Sequence, residues 1–331
     1  MIRRVIFAAA GGACLLAVAL GGGTGSAQPA APSQDFAKAM EAYHKLPDTQ
    51  GTGPFPAMKS EDPAFPGHVV YRPADLSKLG GRKLPILVWG NGGCTDDGAA
   101  ERLFLEEIAS HGYLAVAPGA ILSGPGAPPP PAAPPPPPPA AAGAPARPAS
   151  LSVRTTTAQF EAGLEQAFAA NRAAGPWRGR LDESRVAVSG FSCGGLQALA
   201  VAGDPRVKAV LILHSGVFNS GSPIQGLQID KSVLKTLHTP VLYLLGGKSD
   251  IAYANGTDDF ARIDTVPALL ASHDVGHGGT FTQPNGGEEA QVTRAWLDWQ
   301  LLGDTNAAKT FVGPDCSLCR DPQWTVSRKG L

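Results

Sequence analysis

The sequence lacks an excess of charge of either sign. Its 27 lysines and arginines nearly balance its 28 aspartates and glutamates, which gives a formal net charge of −1. A nucleic-acid-binding domain typically has a basic face, so that class of protein is not expected. The sequence also lacks a metal-ligand cluster, a dinucleotide-binding glycine pattern and internal repeats. It therefore predicts no cofactor, no bound metal and no nucleic-acid partner.

Cysteine is scarce, with five in 331 residues, and only Cys14 lies near the N-terminus. The four others make an even number, which in an exported protein predicts disulfide bonds. Cys316 and Cys319 form a C-x-x-C in a polar tail, without the second pair or the nearby histidine that zinc would need. We interpret this pair as a local disulfide.

The first 27 residues have the pattern of a signal peptide. Arg3 and Arg4 precede the apolar run VIFAAAGGACLLAVAL, and GSA at 25–27 offers a small-residue cleavage site. The run is short for a membrane span, so no stable membrane insertion is expected after cleavage, and a secreted or periplasmic location is predicted. An uncleaved anchor and an acylated Cys14 are the less favoured alternatives.

Short apolar runs alternate with amphipathic segments from residue 67 to the end, after an N-terminal extension at 28–66. Nearly continuous apolar runs are typical of strands covered on both faces of a parallel sheet. The predicted strands are 68–72, 84–90, 113–118, 185–190, 207–213, 240–245 and 267–272. The alternation predicts a single α/β domain, 67–331, with a doubly wound and mostly parallel sheet.

Two patterns between these strands predict helices, and a third predicts a loop. Thr156 and Gln159 have the spacing of a capping box, and Val292, Trp296 and Trp299 form one apolar stripe. Residues 124–150 hold thirteen of the 31 prolines. Because polyproline has no internal hydrogen bonds and this segment has little to bury, we expect a solvated or disordered insertion inside the domain.

The stretch VAVSGFSCGG places Ser192 between Gly190 and Gly194, directly after a predicted strand. This G-x-S-x-G pattern is typical of a sharp strand-to-helix turn that exposes the serine hydroxyl as a nucleophile. A tight turn with an uninvolved serine is the alternative. Cys193 is disfavoured as the nucleophile because the turn directs the middle residue of the five, Ser192, outward.

A serine nucleophile needs a histidine base and a carboxylate, and both follow later predicted strands. Asp250 comes after VLYLL and His277 after PALLAS, so both side chains are expected at the carboxyl edge of the sheet with Ser192. His273 competes for the role of base. Asp258 and Asp259 compete for the role of the acid but are expected inside the following helix, and Asp274 is interpreted as a cap of the turn.

The oxyanion of the reaction needs backbone N–H donors. Cys193 follows the serine and supplies one, and the glycine-rich loop WGNGGC supplies a second from Gly93 or Cys94. An ordinary glycine-rich strand exit is the alternative for this loop. If both assignments hold, Cys94 and Cys193 are close enough to form a disulfide between the two donor loops.

These motifs resemble the α/β-hydrolase superfamily, and more narrowly secreted bacterial and fungal hydrolases with WGNGGC and SCGG. The resemblance covers residue 67 to the end and implies a serine hydrolase with an acyl-enzyme intermediate. Asn91, where many esterases have histidine, and the proline-rich insertion depart from the pattern. His214, Phe218 and Asn219 follow a predicted strand and are candidates for the pocket, although a structural role is equally open for each.

The sequence therefore predicts hydrolysis of a small-molecule or polymeric carboxylic ester. A peptidase or amidase with the same triad is the first alternative. A non-catalytic secreted binding protein with a hydrolase fold is the second. The oligomeric state is not predicted.

Overall fold

The computed structural model describes residues 42–129 and 151–331. The predicted signal peptide and residues 130–150 of the proline-rich segment lie outside this range. The strands are β1 Ala57–Glu61, β2 His68–Pro73, β3 Leu84–Gly90, β4 Leu114–Pro118, β5 Leu151–Ser152, β6 Leu181–Phe191, β7 Val207–Leu213, β8 Ile224–Gln225, β9 Val241–Leu245, β10 Ala268–Ser272 and β11 Thr325–Lys329. The helices are α1 Arg102–Ser110, α2 Thr157–Arg172, α3 Cys193–Val201, α4 Tyr253–Arg262, α5 Gly287–Leu302, α6 Thr305–Ala308 and α7 Ser317–Arg320.

Nine strands form one sheet in the order β1-β2-β4-β3-β6-β7-β9-β10-β11. The strands from β4 to β10 in this order pair in parallel. The pairings β1–β2, β2–β4 and β10–β11 are antiparallel. β5 and β8 form a separate short pair. All seven predicted strands are present, and the prediction of a mostly parallel α/β sheet is confirmed.

The sheet is buried on both faces, which explains its continuous apolar strands. Every residue of β3 is buried, and successive side chains enter different cores. Ile86 and Val88 pack in the core that α2 and α3 cover, whereas Leu87 and Trp89 pack in the core that α1 and α5 cover. A strand enclosed in this way has no polar face, so its sequence shows no alternation.

α2 begins where the sequence predicts, and the predicted apolar stripe lies in α5. The Thr156 hydroxyl accepts from the backbone N–H of Gln159, whose side-chain oxygen accepts in turn from the N–H of Thr156, so the capping box is complete at the start of α2. In α5, Trp296 is fully buried and Val292 nearly so. Within the described residues, no helix is long and apolar enough to cross a membrane.

Two antiparallel edge strands were not predicted. β1 lies inside the segment 28–66 that the sequence analysis assigns to an N-terminal extension, and it pairs with β2 along its whole length. β11 pairs with β10 at the opposite edge. Both strands are largely half-buried or exposed and mix polar with apolar residues, so neither has the apolar run that marks the central strands.

Candidate active site

Ser192 lies at the sharp turn between β6 and α3, with φ 53° and ψ −118°. A positive φ is costly for a residue with a side chain and occurs where the surrounding structure enforces it. The enforcement here is a close approach of two backbones. A Cβ added to Gly194 would lie 2.0 Å from the carbonyl oxygen of Gly90, and one added to Gly190 would lie 2.4 Å from the backbone of Gly194. The glycines therefore let α3 begin directly against β3 and β6.

The turn brings the Ser192 hydroxyl to the two other predicted residues. The Ser192 Oγ lies 2.9 Å from the Nε2 of His277, and the Nδ1 of His277 lies 2.7 Å from the Oδ1 of Asp250. Ser192 follows β6, Asp250 follows β9 and His277 follows β10. Their strands end at the same edge of the parallel sheet, where open α/β sheets hold their sites.

Asp250 is buried and accepts four hydrogen bonds. The backbone N–H groups of Gly246 and Ala252 donate to its two oxygens, each at 2.9 Å, and the remaining contacts come from His277 and His214. Burial alone would raise the pKa of Asp250, but the hydrogen bonds from both histidines and both N–H groups outweigh burial and hold this pKa below its ordinary value. Asp250 is therefore ionised at neutral pH.

The competing residues contact other partners. The Nε2 of His273 lies 2.9 Å from Glu289, and its ring stacks on Trp324. Asp258 pairs with Lys231 and Arg262 at the surface. Asp259, also in α4, is buried and accepts hydrogen bonds from Lys231 and from the N–H of Val217. Asp274 is exposed.

His214, a pocket candidate from the sequence, has a second set of contacts behind the triad. Its Nδ1 lies 2.9 Å from the Oδ2 of Asp250, and its Nε2 lies 2.8 Å from the Oε1 of Glu289. The side chains of all three residues are fully buried. The sequence analysis missed Glu289, because an acidic residue in the first turn of a helix is an ordinary feature of solvent-exposed helices.

Glu101 is a second buried acid that the sequence analysis missed. It accepts from the indole N–H of Trp89 at 3.2 Å and from the backbone N–H of Gly92 at 3.3 Å. Burial raises the pKa of Glu101 to about 7, against the effect of these hydrogen bonds. Glu101 thus holds the start of the glycine-rich loop through the hydrogen bond from Gly92.

The glycine-rich loop after β3 is held by its own hydrogen bonds. The N–H of Cys94 donates to the carbonyl of Asn91 at 3.1 Å, and the Asn91 side chain donates to the carbonyls of Thr95 and Pro118. The N–H of Gly92 donates to Glu101. The N–H of Gly93, by contrast, has no acceptor among residues 42–129 and 151–331. Of the two residues considered for the second donor, Gly93 is the one with a free N–H.

A disulfide joins Cys94 of this loop to Cys193 at the start of α3, with the two Cα atoms 5.2 Å apart. Both cysteines are buried. The disulfide connects the two segments that the sequence analysis assigned to the oxyanion donors. The second predicted disulfide, between Cys316 and Cys319, is also present.

A small cavity of about 70 Å³ opens beside Ser192. Apolar side chains dominate its wall, which includes Leu196, Phe218, Ile224 and Ile251. His214 and Phe218, two of the three predicted pocket residues, line it. The third, Asn219, does not. Its exposed side chain donates to the carbonyl of Ala254, and its backbone N–H donates to Asn255.

Histidine, cysteine and acidic side chains do not gather into a metal-binding group of three or more anywhere in the part of the chain that the structure describes. Asp250 and Glu289, the carboxylates of the site, instead accept hydrogen bonds from histidines and backbone N–H groups.

A mostly parallel sheet with helices on both faces, and a serine at a strained turn after a central strand, define the α/β-hydrolase fold. The chain belongs to the dienelactone hydrolase family, whose family model matches residues 89–302. It is accordingly an enzyme of the hydrolase class. No curated protein matches the chain in a sequence search.

Proposed function

We propose that this protein hydrolyses carboxylic esters through an acyl-enzyme intermediate on Ser192. The supporting observation is the unbroken pair of contacts, 2.9 Å from Ser192 to His277 and 2.7 Å from His277 to Asp250. A serine hydroxyl becomes nucleophilic when an adjacent base takes its proton, and the base acts when a third group orients it. The two disulfides are compatible with an exported protein.

In the first step, His277 accepts the Ser192 proton at Nε2 while the Ser192 Oγ attacks the ester carbonyl. Asp250 keeps the remaining proton on Nδ1 and stabilises the imidazolium that forms. His277 then gives its proton to the departing alcohol as the carbonyl reforms and the C–O bond breaks. A water molecule, deprotonated by His277, attacks the acyl-enzyme. His277 then returns the proton to the Ser192 Oγ as the acyl C–O bond breaks, which releases the carboxylic acid and the free serine.

The negative oxygen that forms in each step requires hydrogen-bond donors. We assign the backbone N–H of Cys193, at the first turn of α3, and that of Gly93 to this role. The loss of one such donor typically costs about 10²–10³-fold in rate. Both donors lie in segments joined by the disulfide, so the protein holds the site in place before substrate binds.

Labelling with a fluorophosphonate tests the proposed nucleophile directly. The reagent forms a phosphorus–oxygen bond with an activated serine and releases fluoride, so we expect a single adduct that peptide mass spectrometry places on Ser192. The heat-unfolded chain is the control and should not react. A native protein that hydrolyses p-nitrophenyl acetate without labelling at Ser192 would contradict the proposal.

The size of the cavity predicts a preference for short acyl groups. Ligand pockets typically measure about 300–1,000 Å³, so a cavity of about 70 Å³ is expected to favour a short acyl group. We expect kcat/KM to fall from p-nitrophenyl acetate or butyrate to the octanoate. Phe218→Ala enlarges the wall and is expected to raise the octanoate-to-acetate ratio of kcat/KM by about tenfold or more.

Phe55→Ala is the matched control, because Phe55 is also partly buried but does not line the cavity. Its octanoate-to-acetate ratio should equal that of the parent. A parent enzyme that favours octanoate, or a Phe218→Ala variant with an unchanged ratio, would show that this cavity does not hold the acyl group. A parallel series of p-nitroanilides distinguishes an esterase from an amidase.

A further inference from the structure

His214 lies at the end of β7, fully buried, with φ 46°. Three charged or titratable groups face its ring, each from a different element: Asp250 from the loop after β9, Glu289 from α5 and His277 from the loop after β10. The rings of Phe191 and Phe281 pack against it in T-shaped contacts. A buried histidine between two carboxylates is costly to maintain, so its chemistry needs an explanation.

The geometry determines the protonation of this ring. The two nitrogens of His214 lie 2.9 and 2.8 Å from two carboxylate oxygens, which only accept hydrogen bonds when ionised. Both contacts are hydrogen bonds to ionised acids only if both nitrogens carry protons. Burial alone would lower the pKa of His214, but Glu289 and Asp250 outweigh it and raise this pKa to about 9.

Hydrogen bonds also stabilise the ionised form of Glu289. Its Oε1 also lies 2.9 Å from the Nε2 of His273, and its Oε2 accepts from the backbone N–H of Thr280 at 2.8 Å. Burial would raise its pKa, whereas His214 and His273 together with the Thr280 N–H lower it to about 2. Glu289 thus provides a permanent counter-charge for the His214 ring.

We propose that His214, held as an imidazolium between Asp250 and Glu289, is a positioning residue for the hydrolytic site. The inference rests on the proposed function of Ser192 and His277. His214 hydrogen-bonds to the Oδ2 of Asp250, and His277 hydrogen-bonds to the Oδ1. The two contacts together fix the plane of the carboxylate. The five residues from Ser192 to Glu289 then form one chain of hydrogen bonds.

The charge on His214 has a consequence for the proposed base. The ring centroids of His214 and His277 are 6.3 Å apart, so a positive charge on the first opposes protonation of the second. The electrostatic field at the proposed base therefore depends on the charge that His214 carries.

His214→Asn tests this charge. Asparagine tolerates a positive φ, and its Nδ2 lies close to the position of the histidine Nδ1, so the hydrogen bond to Asp250 is retained while the charge is lost. We expect the acid limb of the kcat/KM profile for p-nitrophenyl acetate to move to higher pH by about one unit. On the acid limb, this shift lowers kcat/KM by up to about tenfold, and the loss disappears on the plateau of the profile.

His68→Asn is the matched control. His68 is also buried, but it contacts the backbone carbonyls of Pro66 and Gln159, so its loss should leave the acid limb in place. A His214→Asn variant with an unchanged acid limb would overturn the proposal, even if its activity or melting temperature fell. A purely structural role lowers activity at every pH without moving the limb.

A measurement on the unsubstituted chain does not depend on the variant folding or on catalysis. In ¹⁵N-histidine NMR at pH 8, one of the seven histidines is expected to show both ring nitrogens protonated. The signal should persist after Ser192 is blocked with a fluorophosphonate. If all histidines are neutral at pH 8, the inference fails whether or not the protein is an esterase. An inactive protein that shows this signal contradicts the proposed function alone.

Discussion

Replacing Ser192 by alanine is expected to abolish hydrolysis of p-nitrophenyl esters while leaving the fold intact. Removing the nucleophile of a serine hydrolase typically lowers kcat by about 10⁶-fold, because the acyl-enzyme can no longer form. The fold should survive because alanine and serine are equally strained at φ 53°. The hydrogen bond from Ser215 is also retained, since its acceptor is the backbone carbonyl of residue 192 and not the hydroxyl. Steady-state kinetics and thermal unfolding measure the two expectations.

Ser189→Ala is the matched control for this substitution. Ser189 lies three residues earlier, in β6. It is fully buried, and its hydroxyl has no hydrogen-bond partner in the described part of the chain. Its replacement should leave kcat within about twofold of the parent. A Ser192→Ala variant that keeps a tenth or more of the parent activity would refute the proposed mechanism.

The sequence predicted the central fold because burial on both faces leaves a local signature. The strands of the parallel region contain apolar runs that identify them without knowledge of their neighbours, as in LPILVWG and VKAVLIL. The candidate triad followed from the same reasoning. Ser192, Asp250 and His277 each come shortly after such a run, and parallel strands bring the residues that follow them to one edge.

The antiparallel edges and the residues behind the triad could not be predicted in this way. β11 contains no fully buried residue, and its role as a strand depends on pairing with β10. Glu289 lies in the sequence GGEEAQV, where one glutamate is exposed and its neighbour is fully buried beside His214. Which of two adjacent acids faces the core depends on the packing of α5 against the sheet, and nothing local distinguishes them.

The Asn219 assignment illustrates the same limit at a smaller scale. His214, Phe218 and Asn219 all follow β7, and the sequence made all three candidates for the pocket, with a structural role equally open for each. The N–H of Val217 donates to the buried Asp259, which anchors this segment to α4. The chain then turns, so that Phe218 lines the cavity while Asn219 contacts the first turn of α4.

Removing the disulfide between Cys94 and Cys193 is expected to cost both stability and activity. The bond joins residues 99 positions apart, and the chain-entropy model assigns about 4–5 kcal/mol of unfolding free energy to a loop of that length. Alanine is the substitution of choice at both positions, because each cysteine is buried and serine would add a buried hydroxyl. We expect the double variant Cys94→Ala/Cys193→Ala to have a substantially lower melting temperature.

The effect on activity follows from the position of the bond between the two donor segments. Without it, the loop with Gly93 retains its hydrogen bonds to Glu101 and Pro118 but loses its covalent link to α3. We expect kcat to fall by about 10²-fold, as for the loss of one oxyanion donor, with the fluorophosphonate still reacting at Ser192 more slowly.

The double variant Cys316→Ala/Cys319→Ala supplies the control. It removes a disulfide whose cysteines are only three positions apart, in a segment outside the site, so the loss of stability should be smaller and kcat should stay unchanged. If the two double variants behave alike in kcat, the disulfide beside Ser192 has no role in holding the donors. The two N–H groups would then depend on the hydrogen bonds of the loop and the start of α3 alone.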